Sequence, residues 1–305
     1  MDVRGLDVGT MFLVSAKKTG ADKIEINRIR NMFLPVTDDM LSSSEIANAK
    51  IDYVESFDDD GDLELRAIIG EDAYKFGNIF GQKVRRPMQS GVISSSEIDA
   101  IDILTLMTDR LIGRPKGGQG YCVYSVPAPA IDVEVPPVTY HERVWGTVLS
   151  SLKYKSRSLN EAMSIIFSEC QKTEFTGIAF SFGAGLTNVA CAYKGTPTLT
   201  FSVGRAGDWV DNSVASSLGI VPNRVTSVKE KTNLSNLESK NKKEKRVKEA
   251  IWYYYQNLIE YILKNITAKF EENSDGLEID EKIPIVISGG TSKVGGFIDL
   301  FKTVF

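Results

Sequence analysis

The sequence predicts an α/β fold of two lobes, and three observations carry that prediction. The chain has 305 residues, too many for one simple core and suited to two domains or one large α/β unit. Apolar runs of strand length recur, with helix-spaced patterns between them. Three short glycine-bearing turns, each after an apolar run, stand far apart: Gly5-Leu6-Asp7-Val8-Gly9-Thr10, Phe182-Gly183-Ala184-Gly185-Leu186-Thr187-Asn188 and Ile287-Ser288-Gly289-Gly290-Thr291. Glycine lets a backbone turn sharply and approach a ligand closely, so its amides can face an anion. One such turn occurs in every fold. Three in this order point to a nucleotide held between two lobes.

The elements follow in chain order. Val3–Val8 and Met11–Ala16 read as strands joined by the first glycine turn, with Glu25–Arg30 as a pairing partner. Asp52–Phe57 and Leu63–Ile69 flank an acidic Asp-Gly turn whose spacing fails the EF-hand pattern, so a hairpin is expected. Ser95–Ile112 carries helical periodicity after a serine-rich capping stretch, and 113–120 is a loop before the buried strand Tyr121–Val126. Val138–Leu152 and Leu159–Cys170 read as helices, Gly177–Phe182 as a buried strand, and Ala190–Tyr193 and Thr198–Val203 as antiparallel continuations. Asp208–Leu218 is a helix stopped by Gly219. A polar stretch leads into a long helix from about Lys245 to Phe270, whose aromatic residues make a broad core face. Ile283–Ile287 is a last buried strand before the third glycine turn and a short helix from Gly296.

Composition narrows the function. A net charge of −4 offers no global basic field for nucleic acid. Three cysteines without a close pair and one histidine exclude a Cys/His zinc site by ligand count. No signal peptide and no run of 18 apolar residues is read, which leaves the cytoplasm as the expected location. No Gly-x-Gly-x-x-Gly opens a helix after the first strand, and 113–120 lacks the Walker ending, so Rossmann and P-loop readings are disfavoured.

The chain resembles the actin/Hsp70/sugar-kinase ATPase superfamily, and within it the bacterial actins of the MreB type. Gly5–Thr10 looks like that superfamily's first phosphate loop, Ser181–Asn188 lies where the second belongs, and Ile287–Gly296 where the adenosine loop belongs. Gly70-Glu71-Asp72-Ala73 and Arg86–Ile93 are similar to a stretch particular to MreB-like proteins. Ser125-Val126-Pro127 resembles the strand end leading to the lobe crossover, and Ala206–Asp211 the second connecting segment. The implied fold has two lobes, each with a mixed sheet and flanking helices, and a nucleotide cleft between them. The lobes are expected at 1–128, with a small subdomain at about 30–85, and at 129–305, with a subdomain at about 206–275. Family members also add a strand and a helix after the adenosine loop; none is read before Phe305.

The resemblance implies ATP or ADP with Mg²⁺ as ligands. Asp7 is the expected carboxylate for magnesium, through water, and counts with Glu161 as catalytic. Glu161, in Asn160-Glu161-Ala162-Met163, matches the family's water-positioning residue at a helix start; a dipole-favoured surface glutamate is the competing reading. Gly9, Thr10 and Met11 on one side, Gly183, Ala184, Gly185 and Thr187 on the other, are expected to meet the phosphates. Asp208 is expected to meet the ribose or the phosphate loop, Lys229 the other side of the base, and Gly289, Gly290 and Thr291 the purine and ribose. One departure stands out: the family's second loop opens with aspartate, and this chain has Ser181, which supplies no second carboxylate.

Two functions follow. The first is an actin-like protein that binds ATP or ADP, hydrolyses slowly and assembles into filaments. The second is a weakly active or inactive actin-like nucleotide sensor that recruits partner proteins without polymerising. Direct membrane binding and nucleic-acid binding are not expected, although Met32-Phe33-Leu34-Pro35 is an unexplained apolar tip.

Overall fold

The computed structural model describes residues 2–21, 23–37, 40, 41, 44, 48–272 and 282–305. The chain divides into unit 1, Met1–Val126 with Val135–Leu159, and unit 2, Pro127–Glu134 with Asn160–Phe305.

In unit 1, β1 (Asp2–Val8), β2 (Phe12–Lys18) and β3 (Ile24–Arg30) form an antiparallel meander across the first glycine turn. A second, three-stranded sheet holds β4 (Phe33–Pro35), β5 (Tyr53–Phe57) and β6 (Leu63–Ile69), followed directly by α1 (Gly70–Phe80). Its own small core joins Met32, Leu34, Val36, Ile51, Ile68 and Ala73. The apolar tip at 32–35 is therefore buried: Phe33 and Leu34 pair with Ile69 and Ile68. The acidic turn is the expected hairpin, with the Asp58 carboxylate accepting from the amides of Asp60 and Asp62.

A short hairpin of β7 (Met88–Gln89) and β8 (Val92–Ile93) precedes α2 (Ala100–Ile112), β9 (Gly120–Val126), α3 (Val138–Ser151) and β10 (Tyr154–Asn160). The main sheet has the order β10-β9-β1-β2-β3, with β9 parallel to β1. One face carries the core: Leu6, Val8, Leu13, Cys122 and Tyr124 against Ile103, Leu104 and Met107 of α2 and Val144, Trp145 and Val148 of α3. Each such side chain contributes about 1.5–3 kcal/mol when fully buried.

Three expectations change here. α2 starts at Ala100, not Ser95, because Glu97 is committed to an ion pair with Arg85 instead of capping a helix. Residues 154–160 are a strand, and the following helix begins only at Glu161, because edge pairing beside β9 captures a segment with little apolar signal. The division also falls elsewhere than at 128/129. Val135–Leu159 belongs to unit 1, since α3 supplies its core and β10 its sheet edge.

In unit 2, α4 (Glu161–Glu169) precedes β11 (Gly177–Phe182), β12 (Thr187–Tyr193) and β13 (Thr196–Val203), an antiparallel meander across the second glycine turn. Then come α5 (Gly207–Leu218), α6 (Pro222–Lys229), α7 (Lys242–Glu272), β14 (Ile285–Ser288) and α8 (Phe297–Val304). The sheet order is β13-β12-β11-β14, with β14 parallel to β11. Both sheet faces are covered. α4 lays Ala162, Met163 and Ile166 on Ala179, Ala190 and Ala192, while α5, α7 and α8 bury Val210, Val214, Tyr255, Ile259 and Phe297 against Phe180, Phe182, Val189 and Phe201. The units repeat one plan, a meander whose first strand takes a parallel partner, so the predicted fold class is the observed one.

Candidate functional site

The two glycine turns have the same construction. The Gly9 amide donates to the Phe12 carbonyl at 3.1 Å, and the Gly183 amide to the Leu186 carbonyl at 3.0 Å. Each closes a two-residue loop, Thr10-Met11 or Ala184-Gly185. A Cβ on Gly9 would lie 2.7 Å from the Phe12 carbonyl oxygen, and one on Gly183 2.7 Å from that of Leu186, so neither turn accepts a side chain. Among the described residues, the amides of Thr10, Met11, Ala184 and Gly185 meet no acceptor.

The carbonyl side of each turn is anchored. In unit 1, Asn31 donates its side-chain amide to the Gly9 carbonyl (2.9 Å) and its backbone amide to that of Met11 (2.8 Å). Thr10 is buried, and its hydroxyl accepts from the Gly91 amide at 2.9 Å. The segment 86–93 thus braces the first turn. In unit 2, the first amides of α5 do the same work: Gly207 donates to the Gly183 carbonyl (3.1 Å) and Asp208 to that of Ala184 (2.8 Å). The Thr291 hydroxyl adds a second donor to the Gly183 carbonyl at 2.7 Å. With both sets of carbonyls tied back, the free amides are left as preorganised anion donors.

Asp7 and Ser181 occupy equivalent places, each two residues before its turn glycine. Asp7 is exposed, and its Oδ1 accepts from the Ser125 hydroxyl at 2.7 Å; that hydroxyl accepts in turn from the Val8 amide. Desolvation by surrounding protein raises the Asp7 pKa above the ordinary carboxylate value, with the Ser125 hydrogen bond opposing it.

Glu161 opens α4, with the Asn160 side chain accepting from the Met163 amide as N-cap. Its carboxylate accepts the Ser181 hydroxyl on Oε1 (2.6 Å) and the Asn188 side-chain amide on Oε2 (3.0 Å). Ser181 and Asn188 are cross-strand partners on β11 and β12, which is why both reach one carboxylate. Asn188 is itself oriented, its Oδ1 accepting from the Ala128 amide at 3.0 Å.

The remaining candidates divide. Gly289, with φ 98°, leaves no room for a Cβ, which would meet Phe182 backbone at 2.3 Å, whereas a Cβ on Gly290 would meet open space. Thr187 is buried and donates to the Arg205 carbonyl at 2.8 Å. Lys229, expected beside a nucleobase, is buried instead. Its ammonium donates to Asp211 (2.8 Å) and to the Gly207 carbonyl (3.0 Å), holding the start of α5. Burial raises the Asp211 pKa while Lys229 opposes it. Sequence reasoning missed Asn31 and Asn188 as site residues and gave Ser125 no role. Asn188 had a signal, since period-two alternation from Ser181 across a tight turn puts it opposite.

Solved structures share this fold. A MamK double helical filament subunit matches with a TM-score of 0.69 at 16% identity, over 99% of this chain and 90% of that one. MreB5 of Spiroplasma citri bound to ADP matches with a TM-score of 0.62 at 14% identity, over 100% and 89%. The ethanolamine utilization protein EutJ from Carboxydothermus hydrogenoformans matches with a TM-score of 0.52 at 17% identity, over 100% and 82%. No curated protein matches the sequence. The chain has the actin-like fold of MamK and MreB5 and, matching that family over residues 1–305, belongs to the Volactin family.

Proposed function

We propose that the chain binds ATP or ADP through the amides of its two glycine turns, hydrolyses ATP slowly, and assembles into filaments. The carrying observation is the repeated turn, with its carbonyls anchored and the amides of Thr10, Met11, Ala184 and Gly185 left as donors. Such paired donors suit the oxygens of a polyphosphate, whose transfer depends mostly on positioning and charge stabilisation. The 3-10 turn at Gly290–Lys293, tied to the second phosphate turn through Thr291, is the proposed seat of the adenosine.

Magnesium fits this donor set as a cation brought by phosphates. Such an ion needs only one or two protein carboxylates and keeps several waters. Asp7 is exposed, and its Oδ2 has no partner among the described residues. When bound, the ion spreads the γ-phosphate charge. Glu161 orients the attacking water in this reading. The Ser181 hydroxyl and the Asn188 side-chain amide, one on each oxygen, fix the orientation of its carboxylate. Ser181 gives the site a hydroxyl where the resemblance implies a second carboxylate, which is the reason hydrolysis is slow.

Assembly is proposed by analogy with the filament formed by MamK, and ADP as a ligand by analogy with MreB5. Calorimetric titration of ATP with and without magnesium tests binding. Wild type should bind in a magnesium-dependent way, and Gly183→Val should not. Phosphate release should be slow, about 100-fold slower in Glu161→Ala, and not reduced in Ser181→Asp. Pelleting with ATP, ADP or no nucleotide tests assembly. Absence of binding heat under all conditions overturns the nucleotide reading. Because Ser181 is a hydroxyl already committed to Glu161, the non-polymerising nucleotide sensor stands as the second reading; a nucleotide-binding protein that never pellets would select it.

A further inference from the structure

Within unit 1, hairpin β7–β8 is fastened at both ends to residues far away in the chain. At its tip, the Gly91 amide donates to the buried Thr10 hydroxyl at 2.9 Å, inside the first glycine turn. At its base, the Ile93 amide donates to Nδ1 of His141 on α3 at 3.3 Å. The span between is short and stiff. Ser90 and Gly91 both have positive φ, 49° and 75°, the pattern of a two-residue type I′ turn, and Met88, Val92 and Ile93 are buried.

The register explains why the base needs an outside acceptor. Gln89 pairs with Val92 and Met88 with Ile93, and the Ser94 amide donates to the Pro87 carbonyl. Bonded and non-bonded pairs alternate along an antiparallel ladder. The bonded Pro87–Ser94 pair therefore makes Met88–Ile93 the non-bonded one, and the Ile93 amide points away from β7. The core around it is apolar, and a buried amide without an acceptor is costly. His141 answers that need. It is fully buried, its ring stands edge to face with Trp145 at 6.3 Å, and its Nε2 meets no partner among the described residues. A leucine would fill the space without an orphaned nitrogen. What the polar ring supplies there is a fixed acceptor.

We infer that His141 is a positioning residue for the first glycine turn: its Nδ1 fixes the base of the hairpin, the type I′ tip carries that position to Gly91, and Gly91 holds the Thr10 hydroxyl. With that hydroxyl held, the Thr10 and Met11 amides keep the direction needed to meet phosphate. His141 acts through the hairpin and touches no ligand itself. This rests on the nucleotide reading above and names a residue through which unit 1 sets its affinity.

The test compares two replacements that differ in the acceptor. His141→Asn keeps a carbonyl oxygen near the place of Nδ1 but leaves a cavity; His141→Leu fills the space and removes the acceptor. Thermal melting checks that each variant folds, and the cavity should make His141→Asn the less stable of the two. A purely structural histidine would make ATP affinity follow that order. The positioning role reverses it. Calorimetry with magnesium-ATP should give His141→Asn within about twofold of wild type and His141→Leu about tenfold weaker, the net contribution of one hydrogen bond. Adding His141→Leu to Thr10→Val should weaken binding no further, because both break the same path. Wild-type affinity in His141→Leu, or full additivity with Thr10→Val, overturns the positioning and leaves the nucleotide reading standing. If wild type gives no binding heat, the nucleotide reading fails and hydrogen exchange decides the path. Protection at the Gly91 amide lost in His141→Leu and kept in His141→Asn keeps it, and equal protection in all three proteins overturns it.

Discussion

Glu161 is held by donors that arrive from two strands, and the consequence is chemical. Ser181 and Asn188 each donate a hydrogen bond to its carboxylate and so fix its orientation. A buried histidine shows the opposite case, a polar group with too few partners. His141 is fully buried on α3; its Nδ1 accepts from the Ile93 amide at 3.3 Å, and its Nε2 has no partner among the described residues. Burial lowers its pKa to about 4, against an ordinary value of 6.5. The native state therefore favours neutral imidazole. The stability this contributes is complete above pH 6.5 and is lost as pH falls through 6.5 toward 4. The contribution is at most about 3 kcal/mol. Urea unfolding of wild type should show that loss, and His141→Gln should flatten the slope in this window. Equal slopes would assign the acid sensitivity to carboxylates alone.

At the scale of elements, the start of α5 is the joint on which unit 2's site depends. Its first two amides, which no residue inside a helix can satisfy, are spent on the second glycine turn. Gly207 permits this approach: a Cβ there would lie 2.5 Å from the Thr291 hydroxyl and 3.4 Å from the Ala184 Cα. Gly207→Val should displace the turn, cost about 1–3 kcal/mol of stability, and weaken ATP binding more than the melting shift explains. Calorimetry beside thermal melting measures both, and unchanged affinity would separate α5 from the site. Elements also mark where the sequence was legible. β1, β11 and α7 were readable because apolar periodicity survives whatever they pack against. β10, Tyr-Lys-Ser-Arg-Ser-Leu-Asn, was not, because an edge strand with exposed residues needs no alternation. α6 was missed for a similar reason: Pro222 starts it, but only Val225 and Lys229 are buried.

For the whole molecule, the proposed nucleotide, bound by the folded chain and not by the unfolded one, should stabilise the fold. Saturating ATP and magnesium, at about 100 times Kd, should add about 2.7 kcal/mol. Thermal melting with and without nucleotide reads this, and an unmoved melting temperature under magnesium-ATP would contradict the proposed ligand. By itself the sequence determined the α/β class, the three turns, the long helix and the acidic hairpin, because each is written in local chemistry: glycine where a Cβ collides, periodicity where one face is buried. Only the tertiary structure decided that Asn188 joins Ser181 on Glu161, that Lys229 is spent on Asp211, and that residues 135–159 return to unit 1. Those outcomes depend on partners far apart in the chain, and a side chain's role is set by whichever donor, acceptor or neighbour the fold brings to it.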